Sequence, residues 1–387
     1  MRRWLAVVGL ALLALAAALL VHPVLPARQP AAPKPAAGEP EVSGQLLIYV
    51  NGELRYRGPV RSFLKPATPL LALGLFPTSG LQSVNVDFYG EAPSTWPVVI
   101  SGSLSRPIVY GGYSPTEGVI DSVWGEYKSI APLLLVYDTK GNKWTEVSLS
   151  TTPSVTSNAT GVLLTISGSV TSSLTTATSV SMIRLVRPVG FSAYASGNPD
   201  YAVRMAEDTL PTPVTVNPGD SLTVVYQFYF KSDQVFTENW AKAFFAWLYN
   251  VPGAKTAVTA TDGTTDYIDP YASAANSYCY PPSNVPIGTY IVIGSGQASF
   301  SRTAYRVQSE VARAEPSVQV YGGGVSLSYT FAPSQDTTIT EAAVYAKLRD
   351  GKEVMLLYYV FPQPVQVKAG QPFTVTFRIN LPYQDRV

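Results

Sequence analysis

One stretch that occurs twice organises the sequence. Its first copy reads Leu210-Pro211-Thr212-Pro213-Val214-Thr215-Val216-Asn217-Pro218-Gly219-Asp220 and continues through Leu222, Thr223 and Val224. The second copy reads Phe361-Pro362-Gln363-Pro364-Val365-Gln366-Val367-Lys368-Ala369-Gly370-Gln371 and continues through Phe373, Thr374 and Val375, 151 positions later. Each copy combines a Pro-x-Pro-Val-x-Val strand, a glycine turn and a second alternating strand in the same order. This pattern predicts an internal duplication.

Other similarities extend the duplication outward from this stretch. Residues 108–111 resemble residues 291–294, and residues 46–50 resemble residues 224–228. The offsets differ because the first copy carries Ser- and Thr-rich sequence between about residues 149 and 180, which we interpret as extra, forming longer hairpins or a polar loop. The sequence therefore predicts a first module at residues 44–223 and a second module at residues 224–387.

The join between the two modules is itself a predicted strand. Strand alternation places five large apolar side chains of this segment on one face. They are Leu222, Val224, Tyr226, Phe228 and Phe230. Because no Gly-, Pro- or Ser-rich linker intervenes, we expect the modules to be joined rigidly.

Turn signals within the modules predict antiparallel hairpins. Asn51-Gly52 and Asp350-Gly351 each separate two alternating segments, and the glycines at residues 322–324 separate another pair. The predicted fold class is mainly β, with two tandem antiparallel β-sandwich-like modules. Each module is expected to contain one short helix.

The clearest helix signal lies early in the second module. Aromatic and apolar residues recur at helical spacing after Thr237, a candidate N-cap, and predict a stripe packed on a sheet. The stripe residues are Phe236, Trp240, Phe244, Trp247 and Leu248. The corresponding helix of the first module is expected to be shorter, because Pro66 and Pro69 interrupt it.

The N-terminal residues predict export from the cytoplasm. Arg2 and Arg3 precede an apolar run at residues 4–21, so residues 1–25 are either a signal peptide or a membrane anchor. Residues 26–43 are rich in Pro and Ala and form a predicted extended stalk. A stalk directly after the apolar run favours a retained anchor over a cleaved signal. The expected location is extracellular or at the cell surface, either membrane-anchored through residues 4–21 or secreted.

The amino-acid composition disfavours or excludes several classes of function. Lys plus Arg (27) nearly equals Asp plus Glu (26), which disfavours nucleic-acid binding. The single cysteine, Cys279, cannot form an intrachain disulfide. The one histidine, His22, lies beside the export segment, so Ser-His-Asp and Cys-His catalysis are excluded from the folded region. A hydrolase that uses two carboxylates stays open, but the sequence indicates no catalytic residues and no cofactor apart from calcium.

Two segments are candidate sites. The loop at residues 262–269 offers Asp262, Asp266 and Asp269 as oxygen ligands for calcium. It lacks the regular spacing of an EF-hand, and a solvated turn is the competing and favoured interpretation. Asn158 begins Asn158-Ala159-Thr160, an acceptor sequence for N-glycosylation within the Ser- and Thr-rich region.

Two patterns of the second module resemble the β-rich modules of archaeal surface appendages and phage tail-fibre-like structural proteins. They are Ile339-Thr340-Glu341-Ala342-Ala343-Val344-Tyr345-Ala346 leading into Phe361-Pro362, and Val292-Ile293-Gly294-Ser295-Gly296. The resemblance implies a non-catalytic structural or adhesive role. Self-assembly is expected if the strand at residues 373–379 pairs with the edge at residues 46–50 of another chain. A glycan- or protein-binding module is the alternative, and a carboxylate-dependent hydrolase is the third hypothesis.

Overall fold

The structure is a computed structural model that describes part of the chain. The described residues are 41–60, 63, 67–78, 86–88, 96–101, 108–111, 119–120, 134–173, 175–188, 202–249, 255–269, 284–296 and 299–382. The predicted signal or anchor, residues 26–40 of the predicted stalk, and Cys279 lie outside these residues. Within them, no helix combines the length and the apolar character needed to cross a membrane.

The described residues are mainly β, as predicted. The strands are β1 (Glu41–Val50), β2 (Glu53–Pro59), β3 (Val86–Phe88), β4 (Trp96–Ser101), β5 (Ile108–Gly111), β6 (Val119–Ile120), β7 (Leu134–Asp138), β8 (Lys143–Val147), β9 (Ser154–Asn158), β10 (Gly161–Thr171), β11 (Thr178–Pro188), β12 (Ala202–Val216), β13 (Ser221–Lys231), β14 (Val235–Phe236), β15 (Thr256–Thr259), β16 (Thr265–Ile268), β17 (Pro286–Gly294), β18 (Glu310–Ala314), β19 (Ser317–Tyr321), β20 (Gly324–Phe331), β21 (Thr337–Leu348), β22 (Glu353–Val367) and β23 (Phe373–Asn380). The helices are α1 (Ala67–Leu75) and α2 (Glu238–Tyr249).

The largest sheet has eight strands, in the order β19-β20-β23-β1-β13-β10-β9, with β2 also paired to β1. Two smaller sheets have the orders β12-β11-β7-β8 and β14-β22-β21-β17-β18. Strands β15 and β16 form a two-stranded ribbon, and β3-β4-β5-β6 form a further sheet. The central pairs are antiparallel, whereas β1 and β23 meet in parallel at Glu41 and Asn380.

One hydrophobic cluster joins the eight-stranded sheet, the two smaller sheets and both helices in a β-sandwich-like arrangement. Leu222, Val224, Tyr226, Phe228 and Phe230 of β13 all point into this cluster, which confirms the predicted face. The chain from Glu39 to Val387 accordingly forms one compact unit, and the boundary predicted between residues 223 and 224 lies inside β13.

Helix α2 carries the predicted aromatic stripe. Thr237 Oγ1 accepts a hydrogen bond from Trp240 N at 3.1 Å, which caps the helix as expected. All five stripe residues are fully buried, and Phe244 packs its ring on Phe228 and Phe230 at centroid distances of 5.5 and 5.2 Å. The aromatic stripe therefore fixes α2 on the inner face of β13.

The two helices pack on each other and on opposite ends of the large sheet. Helix α1 contacts β19 and β20, whereas α2 contacts β9 and β10. Trp247 Nε1 donates a hydrogen bond to Leu70 O at 2.9 Å, and Phe76 stacks on Trp240. Helix α1 begins directly after Pro66 with Pro69 in its first turn and is the shorter helix, as predicted.

The repeated Pro-x-Pro stretches adopt the same irregularity in both places. Residues 210–213 of β12 lie opposite Ser181 alone, and residues 361–364 of β22 lie opposite Thr340 alone. Ser181 Oγ donates to Asp138 O, and Thr340 Oγ1 donates to Gly296 O, both at 2.6 Å. The proline residues therefore occupy a β-bulge, where their missing amide hydrogens cost no ladder bond.

The turns that follow these two bulges contain the same hydrogen bonds. Asp220 N donates to Asn217 O, and Gln371 N donates to Lys368 O. In each turn the side chain of the last residue accepts a hydrogen bond from the first amide, at 2.8 Å for Asp220 and 3.1 Å for Gln371. Gly219 and Gly370 both have positive φ, of 80° and 71°, which explains why glycine stands in both copies.

Three details of the predicted organisation are wrong. Strand β1 begins at Glu41, three residues inside the predicted stalk, because Val42 is buried on the same face as Leu46. By its position in the sheets β17 corresponds to β7 rather than to residues 108–111, because β7 pairs with β11, next to the first Pro-x-Pro strand, and β17 pairs with β21, next to the second. Strand β5, at residues 108–111, belongs to a different sheet.

The third error is the interpretation of the Ser- and Thr-rich region as extra sequence. Of its two predicted forms, the hairpin is confirmed: the region contains the β9–β10 hairpin, which takes the place at one end of the large sheet that β19–β20 takes at the other. Val162, Leu164 and Ile166 face the core, whereas Leu163, Thr165 and Ser167, which alternate with them, are half-buried on the other face. The low hydrophobicity of the region therefore reflects one partly exposed face, not a loop.

The predicted free edge at residues 46–50 is also wrong. These residues pair with β13 on one side and with β2 on the other. The Asn51-Gly52 turn, with φ values of 53° and 81°, folds β2 back onto β1 as its sequence predicts. Because both sides of the strand are hydrogen-bonded, strand addition from another chain cannot occur there without displacing β2.

We predict that Gly74→Ala destabilises the protein although alanine is the better helix former. A Cβ at this position would lie 2.9 Å from Trp247 Nε1 and closer still to Trp247 Cδ1. Overpacking of this kind costs about 1–3 kcal/mol, measurable by denaturant unfolding. Gly288→Ala is the matched control, because its Cβ would meet only Lys347 Cβ at 3.7 Å. Equal stability of the two variants would contradict the helix packing.

Candidate functional site

The structure separates the three predicted calcium ligands. Asp262 lies in the exposed turn between β15 and β16, where its Oδ1 accepts hydrogen bonds from Thr264 N at 2.8 Å and Thr264 Oγ1 at 2.6 Å. These bonds hold the pKa of the Asp262 carboxyl below its ordinary value. Asp269 lies past β16, where its backbone pairs with that of Asn284.

Asp266 is the buried member of the predicted set. It lies on β16, is 9 % exposed, and its Oδ2 atom is buried without a hydrogen-bond partner. Its carboxyl group meets the carboxyl group of Asp350, in the turn between β21 and β22. Burial first, and then the Asp350 carboxyl, raise the pKa of Asp266.

Asn284 joins the two segments that carry these carboxyls. Its Nδ2 donates to Tyr267 O at 3.0 Å and to Asp350 Oδ2 at 3.1 Å, and its Oδ1 accepts from Asp350 N at 3.2 Å. Lys352 N donates to Asp350 Oδ1 at 2.9 Å. Asp350 is therefore held in position, although it lies on an exposed turn.

The carboxyl contact was not predicted from the sequence. The sequence marks Asp350 only as the first residue of a two-residue hairpin turn, and the turn is confirmed by the positive φ of Gly351. Nothing in the local pattern indicates that this turn meets β16. Over the described ranges, no group of three or more His, Cys, Asp or Glu side chains is arranged to hold a metal ion.

The candidate glycosylation residue lies at an exposed position. Asn158 ends β9, and its Oδ1 accepts hydrogen bonds from Thr160 N at 2.9 Å, Thr160 Oγ1 at 3.0 Å and Gly161 N at 2.9 Å. These bonds close the tight turn into β10. Glycosylation of Asn158 stays a prediction.

A buried arginine, not predicted from the sequence, fastens this turn to the second half of the chain. Arg302 is 7 % exposed and donates to the carbonyl oxygens of Asn158, Ala159, Phe236 and Ser232. Burial lowers the pKa of its guanidinium group. The guanidinium group of Arg302 therefore stabilises backbone carbonyl groups from three segments of the chain.

Two other buried acidic side chains accept hydrogen bonds from tyrosine hydroxyl groups. Glu341 accepts hydrogen bonds from Tyr358 Oη at 2.7 Å and Gln308 N at 2.8 Å, and Asp208 accepts from Tyr226 Oη at 2.9 Å. Burial raises the pKa of both tyrosines, so the hydroxyls stay protonated donors.

A shallow groove of about 580 Å³ runs along β19 and β20. Its lining residues are Glu315, Pro316, Ser317, Gln319, Ser328, Tyr329 and Thr330. Tyr329 is 37 % exposed and packs on Phe331 with ring centroids 4.8 Å apart. The groove thus combines a supported aromatic ring with hydroxyl, amide and carboxyl groups.

Comparison with known proteins gives no match: no family model, no characterised protein and no solved structure matches this chain.

We predict that Asp266→Asn stabilises the chelator-treated protein at pH 7. The raised pKa of Asp266 means that its contribution to stability is present at acidic pH and is lost as the pH rises through the folded-state pKa. Asparagine supplies a donor toward Asp350 at every pH. The expected result is a higher Tm than wild type at pH 7 and a difference that shrinks toward about pH 3, measured by circular dichroism.

Asp262→Asn is the matched control for this prediction. The pKa of Asp262 is lowered, so the pH dependence of its contribution to stability is the reverse of that of Asp266. The stabilisation by Asp262 is present at neutral pH and is lost as the pH falls. A lower Tm for Asp266→Asn than for wild type at pH 7 would contradict the described carboxyl contact.

Proposed function

We propose that this chain is a non-catalytic protein of the cell surface or extracellular space, with a structural or adhesive role. The observation that carries the proposal is the position of β1. The predicted stalk leads into Glu41, the first residue of β1, which pairs with β13 over ten residues and also with β2. Tension along the stalk would load these hydrogen bonds together in shear, a geometry suited to a body held by its N-terminus.

The body of the protein, in this proposal, arose by duplication of one module. The identical glycine turns after β12 and β22 support duplication, as do the bulges opposite Ser181 and Thr340. Strand order adds further support, because β12-β11-β7-β8 corresponds to β22-β21-β17-β18. The modules share the large sheet, which makes the body stiff.

Adhesion or assembly would use faces of the body in preference to strand edges. The outermost strands of the large sheet, β9 and β19, each have five residues, and short edge strands disfavour strand addition. The outer face of that sheet carries hydroxyl pairs between neighbouring strands. They are Ser169 with Thr223, Ser328 with Thr376, and Thr330 with Thr374.

The test of this proposal is surface display and release in the native host. A site-specific protease sequence inserted between Pro35 and Ala36 should leave the body exposed on intact cells, detectable by immunogold labelling. Added protease should then release the body into the medium and reduce cell attachment or remove a surface structure.

A chain without the inserted sequence is the control and should stay in place under the same protease treatment. Label confined to permeabilised cells would contradict surface display, and release of the body with no change in attachment or in any surface structure would contradict a structural or adhesive role.

Glycan binding is a second candidate function, favoured by the groove around Tyr329. An exposed, supported aromatic ring can stack on a sugar, and the neighbouring Gln319 and Glu315 can hydrogen-bond to sugar hydroxyls. The carboxylate-hydrolase hypothesis receives no such support from Asp266 and Asp350, which are in contact. Glycosidase carboxyls are about 5–9.5 Å apart.

We predict that any glycan affinity found on an oligosaccharide array falls about tenfold in Tyr329→Ala, a loss of about 1.4 kcal/mol. Tyr321→Ala is the matched control, because Tyr321 is 38 % exposed on β19 but does not line the groove. Calorimetry should give wild-type affinity for the control. Equal loss in both variants, or no glycan bound by wild type, would reject the groove as a sugar site.

A further inference from the structure

We propose that Asp266 and Asp350 form a binding site for a hard divalent cation, with calcium as the ion to test. The site lies where the β15–β16 ribbon meets the turn between β21 and β22. It retains one of the three carboxylates predicted from the sequence and replaces Asp262 and Asp269 with Asp350. This inference is independent of the proposed surface role.

One oxygen of the Asp266 carboxyl group is buried without a partner. The residue is 9 % exposed, and its Oδ2 has no hydrogen-bond donor. A buried carboxylate oxygen without a partner is costly, and such groups are normally satisfied by a donor, a proton or a cation. The other buried charged residues described above, Arg302, Glu341 and Asp208, all have hydrogen-bond partners. Among the charged side chains that the structure describes, Asp266 is the one with a buried oxygen that lacks a partner.

The carboxyl groups of Asp266 and Asp350 also meet each other. Two ionised carboxyl groups brought together by separate segments repel each other unless a proton or a cation lies between them. Each Asp350 oxygen receives one hydrogen bond, Oδ1 from Lys352 N and Oδ2 from Asn284 Nδ2. A carboxylate oxygen has two lone pairs, so both retain one for a metal ion.

The local charge is negative even with the neighbouring lysine counted. The ammonium group that acts on Asp266 is Lys352, and its Nζ donates to Thr264 Oγ1 at 3.1 Å. This ammonium group acts on the carboxyl groups of Asp262 and Asp266, and Asp350 meets Asp266. One ammonium group beside three ionised carboxylates leaves two negative charges in excess, which favours a divalent cation.

The ligand chemistry favours calcium over softer metals. Among the residues that the structure describes, the available groups are oxygen atoms of carboxylates, with solvent, and no imidazole or thiolate lies beside them. Calcium accepts irregular geometry and water ligands, which the exposed turn at Asp350 can admit. A bound ion would fasten the ribbon to β22, reinforcing the hydrogen bond from Thr261 N to Glu353 O.

The test uses the purified full-length protein after treatment with a chelator. Binding is followed by Tb³⁺ luminescence, because Tyr267 is adjacent to Asp266 in the sequence and can sensitise a nearby lanthanide. The proposal predicts luminescence that calcium displaces, and a Tm that rises by a few degrees with millimolar calcium but not with NaCl of equal ionic strength.

Three variants distinguish the outcomes. Asp266→Asn and Asp350→Asn should lose both the luminescence and the calcium-dependent rise in Tm, whereas Asp262→Asn should keep both. Asp350 lies on an exposed turn, so its variant tests the site even if Asp266→Asn perturbs folding. Loss in Asp262→Asn would place the ion in the loop instead and overturn the proposal. A wild-type protein with neither Tb³⁺ luminescence nor a calcium-dependent rise in Tm would also overturn the proposal. In that case Asp266 and Asp350 would be stabilised only by a proton that they share at acidic pH.

Discussion

The antiparallel pairing of β1 with β13 is the constraint on which the rest of the structure depends. These two strands run side by side for ten residues in the centre of the large sheet. Because β10 pairs with the other edge of β13, the last strand cannot join β13 and lies beside β1 instead. The helices that follow β1 and β13 then pack on opposite ends of the sheet, α1 on β19–β20 and α2 on β9–β10. One core results, shared by both halves of the chain.

The polar groups inside this core explain how loops are fastened to it. Arg302 stabilises carbonyl oxygens from three segments, and Glu341 holds Gln308 N and the Tyr358 hydroxyl. Each of these buried charges is satisfied by neutral groups, as a role in stability requires. Asp266 differs because its buried Oδ2 has no hydrogen-bond donor and its carboxyl group meets that of Asp350, which is why the cation proposal centres on it.

Periodicity predicted the parts of the fold that depend on local sequence. The inward face of β13, the Thr237 cap and the aromatic stripe of α2 follow from residues a few positions apart, and all are confirmed. The counterpart of β17 and the two-sided pairing of residues 46–50 depend on contacts between distant segments. A strand pattern shows which side is apolar but not which strand lies beside it, so these predictions were wrong. The contact of Asp266 with Asp350 was inaccessible for the same reason, since the two lie in separate hairpins.

The central claim is that the two halves form one body through β1 and β13, and splitting the chain tests it most directly. A cut between Pro218 and Gly219, in the exposed turn before β13, separates β1 from its partner without removing any residue of either strand. Thermal unfolding should show no cooperative transition for residues 39–218 or residues 219–387 alone, and a single transition for the two fragments mixed. A cooperative transition in residues 39–218 alone, unchanged when the second fragment is added, would contradict the account.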